Sequence, residues 1–159
     1  MAIKAGDKMP DGKFRVMTAT GPAEVSTDEL FKGKTVVLFA VPGAFTPTCS
    51  NQHLPSYLKN YDKVRATGID TIACMAVNDV FVMDAWGKDR GVGDKIKMLA
   101  DGNGEYTKAL GLELDGSKFG LGQRSKRFSI IVKNGIAEKV NVDEGKYELT
   151  GAEATCSIN

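Results

Sequence analysis

Histidine and tryptophan each occur once in 159 residues, and cysteine only three times. Cys49, Cys74 and Cys156 are too widely spaced for a metal site or a disulfide framework, and three thiols cannot all pair within one chain. A reducing compartment is therefore expected, the cytoplasm or an organelle, with at least one thiol available for reaction. Charge of one sign is lacking too. Lys plus Arg number 21 against 20 Asp plus Glu, and a net charge of +1 gives no electrostatic case for nucleic acid or an anionic membrane. No apolar run approaches bilayer length, and the start Met1-Ala2-Ile3-Lys4-Ala5-Gly6-Asp7 lacks the charged flank and apolar stretch of a secretory signal. Repeats, low-complexity tracts and linker-like stretches are also missing, so one domain over residues 1–159 is expected, its 42% hydrophobic content enough to close a single core. Partners should be small molecules or other proteins.

What is present alternates between strand and helix. Phe14 to Met17 suggests a hairpin or edge strand, and Ser26-Thr27-Asp28-Glu29-Leu30 reads as a short helical turn capped by Thr27 or Ser26. Thr35 to Val41, TVVLFAV, is the unbroken apolar and β-branched run of a strand buried on both faces. From about Cys49 to Ala66 the period becomes helical, with Leu54, Leu58, Tyr61 and Val64 recurring until Gly68. A second buried strand follows in Ile69 to Val77, then a helix over Val80 to Trp86 after an Asn78-Asp79 cap. Lys97 to Ala100 reads as a short strand and Tyr106 to Leu110 as a helical turn. Asn134-Gly135, between Phe128 to Val132 and Ile136 to Val142, is the strongest hairpin signal, because Asn-Gly supplies the positive φ angles of a type I′ turn. The whole implies a mixed α/β sandwich.

Chemistry concentrates in Val41-Pro42-Gly43-Ala44-Phe45-Thr46-Pro47-Thr48-Cys49-Ser50, between a buried strand and a helix start. Free N–H groups at a helix N-terminus stabilise a thiolate and lower its pKa below the free value of about 8.5. Two prolines and a glycine restrict the turn, so that the Thr46 hydroxyl and the Thr48 and Cys49 amides can be held around a small ligand. Such donors favour a transition state in which sulfur attacks an O–O bond and the leaving oxygen gains charge.

The spacing Pro42-x-x-x-Thr46-x-x-Cys49 matches the active-site motif of the peroxiredoxins, and VPGAFTPTCS followed by His53-Leu54-Pro55 resembles their type II branch, which includes the atypical two-cysteine enzyme. The similarity continues through Val77-Asn78-Asp79, Ala85-Trp86-Gly87, Leu99-Ala100-Asp101-Gly102, Leu110-Gly111-Leu112 and Lys126-Arg127-Phe128-Ser129. The resemblance implies a thioredoxin-like α/β fold with an N-terminal β-hairpin extension. It also implies a thiol-dependent peroxidase acting on hydrogen peroxide and alkyl hydroperoxides through a sulfenic acid. Cys49 would be the peroxidatic cysteine, Thr46 the residue hydrogen-bonding thiolate and peroxide, Pro42 the shield of the pocket, and Thr48 and Cys49 the backbone donors. Arg127, immediately before an apolar strand, matches the family's arginine, with Arg124 as its rival. A homodimer packed near the active-site turn is implied, with Phe45 and Trp86 as contributors. No metal or organic cofactor is expected, since sulfur carries the redox change.

Plainer roles exist for each of these residues. A cysteine at a helix start is often a small buried hydrophobe, Thr46 could only cap a helix, Pro42 could only end a strand, and Arg127 could pair with a surface carboxylate. His53, four residues after Cys49, would share its helical face and could give electrostatic or hydrogen-bonding support, with core packing as the alternative. A cysteine hydrolase would need an orienting third residue that the sequence does not reveal. The rival from another class is a peroxide-responsive sensor or holdase without significant turnover.

The sulfenic acid must be resolved by a thiol before more peroxide makes it sulfinic. Cys74, inside the strand pattern Ile72 to Val77, reads as a packed thiol. Cys156, in Ala154-Thr155-Cys156-Ser157, resembles the resolving segment of the atypical enzymes, whereas Tyr147 to Ala154 looks more like plant and bacterial members that lack it. External reduction by glutathione with glutaredoxin, or by thioredoxin, is the default. Non-reducing mass spectrometry after one equivalent of peroxide decides between the routes. A lone sulfenic or glutathionyl adduct on Cys49 is the expected result, and an intact Cys49–Cys156 bridge would establish the internal route.

Overall fold

The computed structural model describes residues 2–47 and 53–143. Nine strands, five α-helices and a short 3-10 helix, Ser117–Phe119, are assigned among them. A hairpin, β1 (Lys13–Thr18) and β2 (Gly21–Ser26), leads into α1 (Thr27–Phe31). Then come β3 (Thr35–Ala40), α2 (Leu54–Lys59), α3 (Tyr61–Ala66), β4 (Thr71–Ala76), α4 (Val80–Arg90), β5 (Lys97–Ala100) and α5 (Glu105–Leu110). A small ribbon, β6 (Glu113–Asp115) and β7 (Gln123–Ser125), precedes the closing hairpin of β8 (Phe128–Lys133) and β9 (Ile136–Val142).

Seven strands form one sheet in the order β2-β1-β5-β4-β3-β8-β9. β3, β4 and β5 run parallel, while β8 lies antiparallel to β3. The N-terminal hairpin extends this sheet, since Arg15 of β1 pairs with Ala100 of β5. The central position of β3 explains its composition. Val37, Phe39 and Val41 enter one core with Leu54, Tyr57, Met83 and Trp86, and Val36, Leu38 and Ala40 enter a second core with Leu30, Tyr106, Leu110 and Ile130. A strand covered on both faces has no polar side to alternate with.

The local signals largely hold. Ser26, not Thr27, caps α1 in a capping box, accepting from the Glu29 amide at 3.1 Å while its own amide donates to the Glu29 carboxylate at 3.3 Å. The Thr27 hydroxyl instead accepts from the Gly12 amide at 3.1 Å. Asn134 and Gly135 take φ of 48° and 82°, the type I′ pattern, and Asn134 Oδ1 also accepts from Gly33 N at 2.8 Å, which ties the hairpin tip to the start of β3. Burial pushes the Tyr106 hydroxyl well above the ordinary tyrosine range, with Asp11 and Asp101 adding to it, so it stays a neutral donor to the Pro10 carbonyl at 3.0 Å.

Other expectations need correction. The helical pattern after Cys49 is not one helix to Ala66, because Asn60, at φ −105° and ψ 18°, separates α2 from α3 while its side-chain amide donates to the Ser56 carbonyl at 2.9 Å. An Asn that captures a carbonyl of the preceding turn competes with continued helix. α4 runs past Trp86 to Arg90 and stops where Gly91 adopts φ 66°. Trp86 is completely buried in the core, so it is not a surface contributor to a dimer. The β6–β7 ribbon had no sequence signal strong enough to predict it. No described helix is long and apolar enough to cross a membrane.

Because Leu38 is fully buried in the strand that both cores share, Leu38→Ala is expected to destabilise the fold by about 2–5 kcal/mol. Urea denaturation of the two proteins checks this.

Candidate active site

β3 ends at Ala40, and the Val41 amide makes a last bond to the Met75 carbonyl at 3.2 Å before the chain turns at Pro42. Three contacts hold the turn. The Ala44 amide donates to Asn78 Oδ1 at 2.9 Å, just beyond the end of β4. The Thr46 hydroxyl donates to the Gly43 carbonyl at 2.7 Å. Gly43 is buried, and a Cβ there would lie 3.0 Å from Arg124 Nη1 and 3.3 Å from Thr46 Cγ2, so a larger residue would press both side chains back by a few tenths of an ångström. Phe45 takes φ 65°, a left-handed conformation that costs a non-glycine residue about 1–3 kcal/mol and is tolerated where surroundings impose it. Pro47 has a helical backbone, which its fixed φ favours.

The second half of the site arrives through the sheet. Antiparallel pairing sets Phe128 opposite Ala40, which carries Arg127 alongside the turn that follows β3. Its largely buried side chain places Nη1 3.0 Å from Nδ1 of His53, and Nε lies 3.9 Å from the buried carboxylate of Asp143. The Asp143 amide donates to the Arg127 carbonyl at 2.8 Å, so one residue restrains both the backbone and the side chain of the arginine. His53 precedes α2 and is completely buried, its ring 4.9 Å from Phe39 and 5.8 Å from Tyr57, which stack on each other at 4.1 Å.

This is a cation and a tight, polar turn meeting at the C-terminal end of a parallel strand. Such an arrangement can hold an anion or a developing negative charge. Arg124 reaches the same turn from the ribbon side, its Nε donating to the Leu121 carbonyl at 2.9 Å, so the two arginines flank the turn from different elements.

The Redoxin family profile matches residues 4–155. The chain belongs to the peroxiredoxins. It is 47% identical over 153 residues to Peroxiredoxin-2C of Oryza sativa subsp. japonica, covering 95% of this chain and 94% of that one. It is equally identical over 148 residues to the chloroplastic Peroxiredoxin-2E of Arabidopsis thaliana, covering 91% of this chain but only 63% of the plant protein's length. The structure of reduced Prx3 in complex with H2O2 from Vibrio vulnificus superposes with a TM-score of 0.93 at 46% identity, over 98% of each chain. These matches place this peroxiredoxin on the type II branch of a family of thiol-dependent peroxidases, and its fold is the expected thioredoxin-like one.

Of the residues the sequence singled out, the described structure of this peroxiredoxin brings Pro42, Thr46, His53 and Arg127 to the end of β3 and its flanks. Cys49, Thr48 and Cys156 lie outside the described residues. Cys74 is completely buried in β4, as its strand pattern suggested. His53, which the sequence offers as a supporting group or a packed core residue, is a completely buried group in contact with Arg127. Sequence reasoning missed two supports. Asn78 read as part of a helix cap, but Asp79 alone caps α4, accepting from Val82 N at 2.8 Å, and Asn78 braces the turn. Asp143, at the end of the β9 pattern, carried no local signal.

Removing the brace should loosen the turn more than the fold. Asn78→Ala is expected to slow the reaction of this peroxiredoxin with peroxide by about fivefold, the equivalent of one lost hydrogen bond of about 1 kcal/mol. Stopped-flow measurement of the second-order rate constant checks it, with thermal unfolding as the control.

Proposed function

We propose that this chain reduces hydrogen peroxide and alkyl hydroperoxides, with Cys49 as the peroxidatic residue. The observation that carries this reading is the convergence of Arg127 on the braced turn Pro42–Pro47, two residues before Cys49 in the chain. The Cys49 thiolate attacks one oxygen of the peroxide. An S–O bond forms as the O–O bond breaks, and the departing oxygen leaves as water or an alcohol after taking a proton. Arg127 supplies positive charge and N–H donors toward the peroxide oxygens. The Thr46 hydroxyl, whose hydrogen is directed to Gly43, presents its lone pairs and accepts from the peroxide O–H. Backbone amides of Thr48 and Cys49 complete the donors, and Pro42 keeps bulk water from the sulfur.

Cys49 sulfenic acid then condenses with a thiol, releasing water and forming a disulfide, which a second thiol reduces. External reduction by glutathione with glutaredoxin, or by thioredoxin, is the proposed route, with Cys156 as the internal alternative. A homodimer is proposed through the surface around the turn. Phe45, 51% exposed on the turn, and Phe81, 64% exposed in the first turn of α4, belong to the two segments that the Ala44–Asn78 hydrogen bond joins. Phe119, 79% exposed, belongs to the segment that carries Arg124. Cytoplasmic placement is proposed. Chloroplastic relatives make an organelle the alternative.

A steady-state assay tests the whole reading. With excess hydrogen peroxide, turnover is expected with glutathione plus glutaredoxin or with thioredoxin, and Cys49→Ser should abolish it with either. Consumption that survives the substitution would refute the assignment.

A further inference from the structure

We propose that His53 is a positioning residue for the peroxide reaction: held as the neutral Nε2–H tautomer, it accepts a hydrogen bond at Nδ1 from Arg127 and fixes the direction of that guanidinium. The inference rests on the reading of Arg127 as the donor to peroxide. Arginine has five N–H donors, no acceptor, and does not deprotonate in proteins. The 3.0 Å contact between Nη1 and Nδ1 therefore needs a lone pair on Nδ1. In a neutral imidazole one nitrogen carries the hydrogen, which is then on Nε2.

The surroundings keep the ring in this pose. His53 is fully buried, and the Phe39–Tyr57 stack beside it, 9° from parallel, joins the central strand to α2. The Ser56 hydroxyl donates to the His53 carbonyl at 2.7 Å, which restrains the backbone as well. From the other side, the Asp143 carboxylate faces Arg127 Nε at 3.9 Å. Among the described residues, the charged and titratable groups facing the imidazole are thus Arg127, with Asp143 behind it, and the Tyr57 ring. Adding a proton at Nδ1 would remove the acceptor and set two cations against each other in a buried site, a costly arrangement. A neutral acceptor also has an advantage over a second carboxylate: it orients the guanidinium without cancelling its charge.

The protein's single histidine makes the test clean. Nitrogen-15 NMR of the reduced protein at neutral pH gives one pair of ring resonances, expected as a protonated Nε2 and an unprotonated Nδ1. An Nδ1–H tautomer or a doubly protonated ring would overturn the proposal. Kinetics provide the second arm. His53→Leu is expected to slow oxidation of Cys49 by hydrogen peroxide about ten- to a hundredfold, the effect of losing one hydrogen bond to a charged group. His53→Asn, which keeps an oxygen acceptor near the Nδ1 position, should recover most of that rate. Equal losses in both variants, or none in His53→Leu, would defeat it. Should His53→Leu fail to fold, the spectrum of the unaltered protein still decides. Failure of the underlying reading shows elsewhere, as peroxide consumption by Cys49→Ser with the tautomer intact.

Discussion

The antiparallel register of β3 against β8 is the constraint on which the site depends. Pairing Ala40 with Phe128 brings the end of one strand and the start of another side by side, although they are far apart in the chain. A slip of one residue would turn Phe39 and Ile130 to the wrong cores, so burial on both faces holds the register. The turn after β3 and the arginine before β8 are thereby fixed by the same hydrophobic packing that stabilises the fold.

Around that junction, each polar side chain does a separate mechanical job. Asn78 grips the backbone of the turn, Thr46 closes it on Gly43, and Asp143 holds both ends of Arg127. Buried polar groups without partners would be costly, and with partners they become rigid, which suits a site whose task is to present charge in one direction. The positive φ of Phe45 belongs to the same design, since the braces on either side impose a conformation the residue would not choose alone.

Much of this was legible in the chain. The TVVLFAV run predicted a strand covered on both faces, Asn134-Gly135 predicted the type I′ hairpin, and the spacing of Pro42, Thr46 and Cys49 pointed to peroxide chemistry. The corrections concern packing. The resemblance suggests Trp86 as a contributor to a dimer, but the residue is completely buried, because which side of a helix is covered depends on what packs over it. Asn78 was read as a cap because capping residues look alike in sequence, and only the distance to Ala44 distinguishes a brace from a cap.

The sequence by itself determined most of the elements and the family, and it pointed to the reactive motif, because periodicity, turn chemistry and a short contiguous motif are properties of neighbouring residues. Only the tertiary structure decided that Arg127 meets His53, that Asp143 stands behind it, and that Asn78 supports the turn. Those pairs join residues just beyond the ends of different strands and helices. Their geometry is set by sheet register and side-chain packing, which no local pattern encodes.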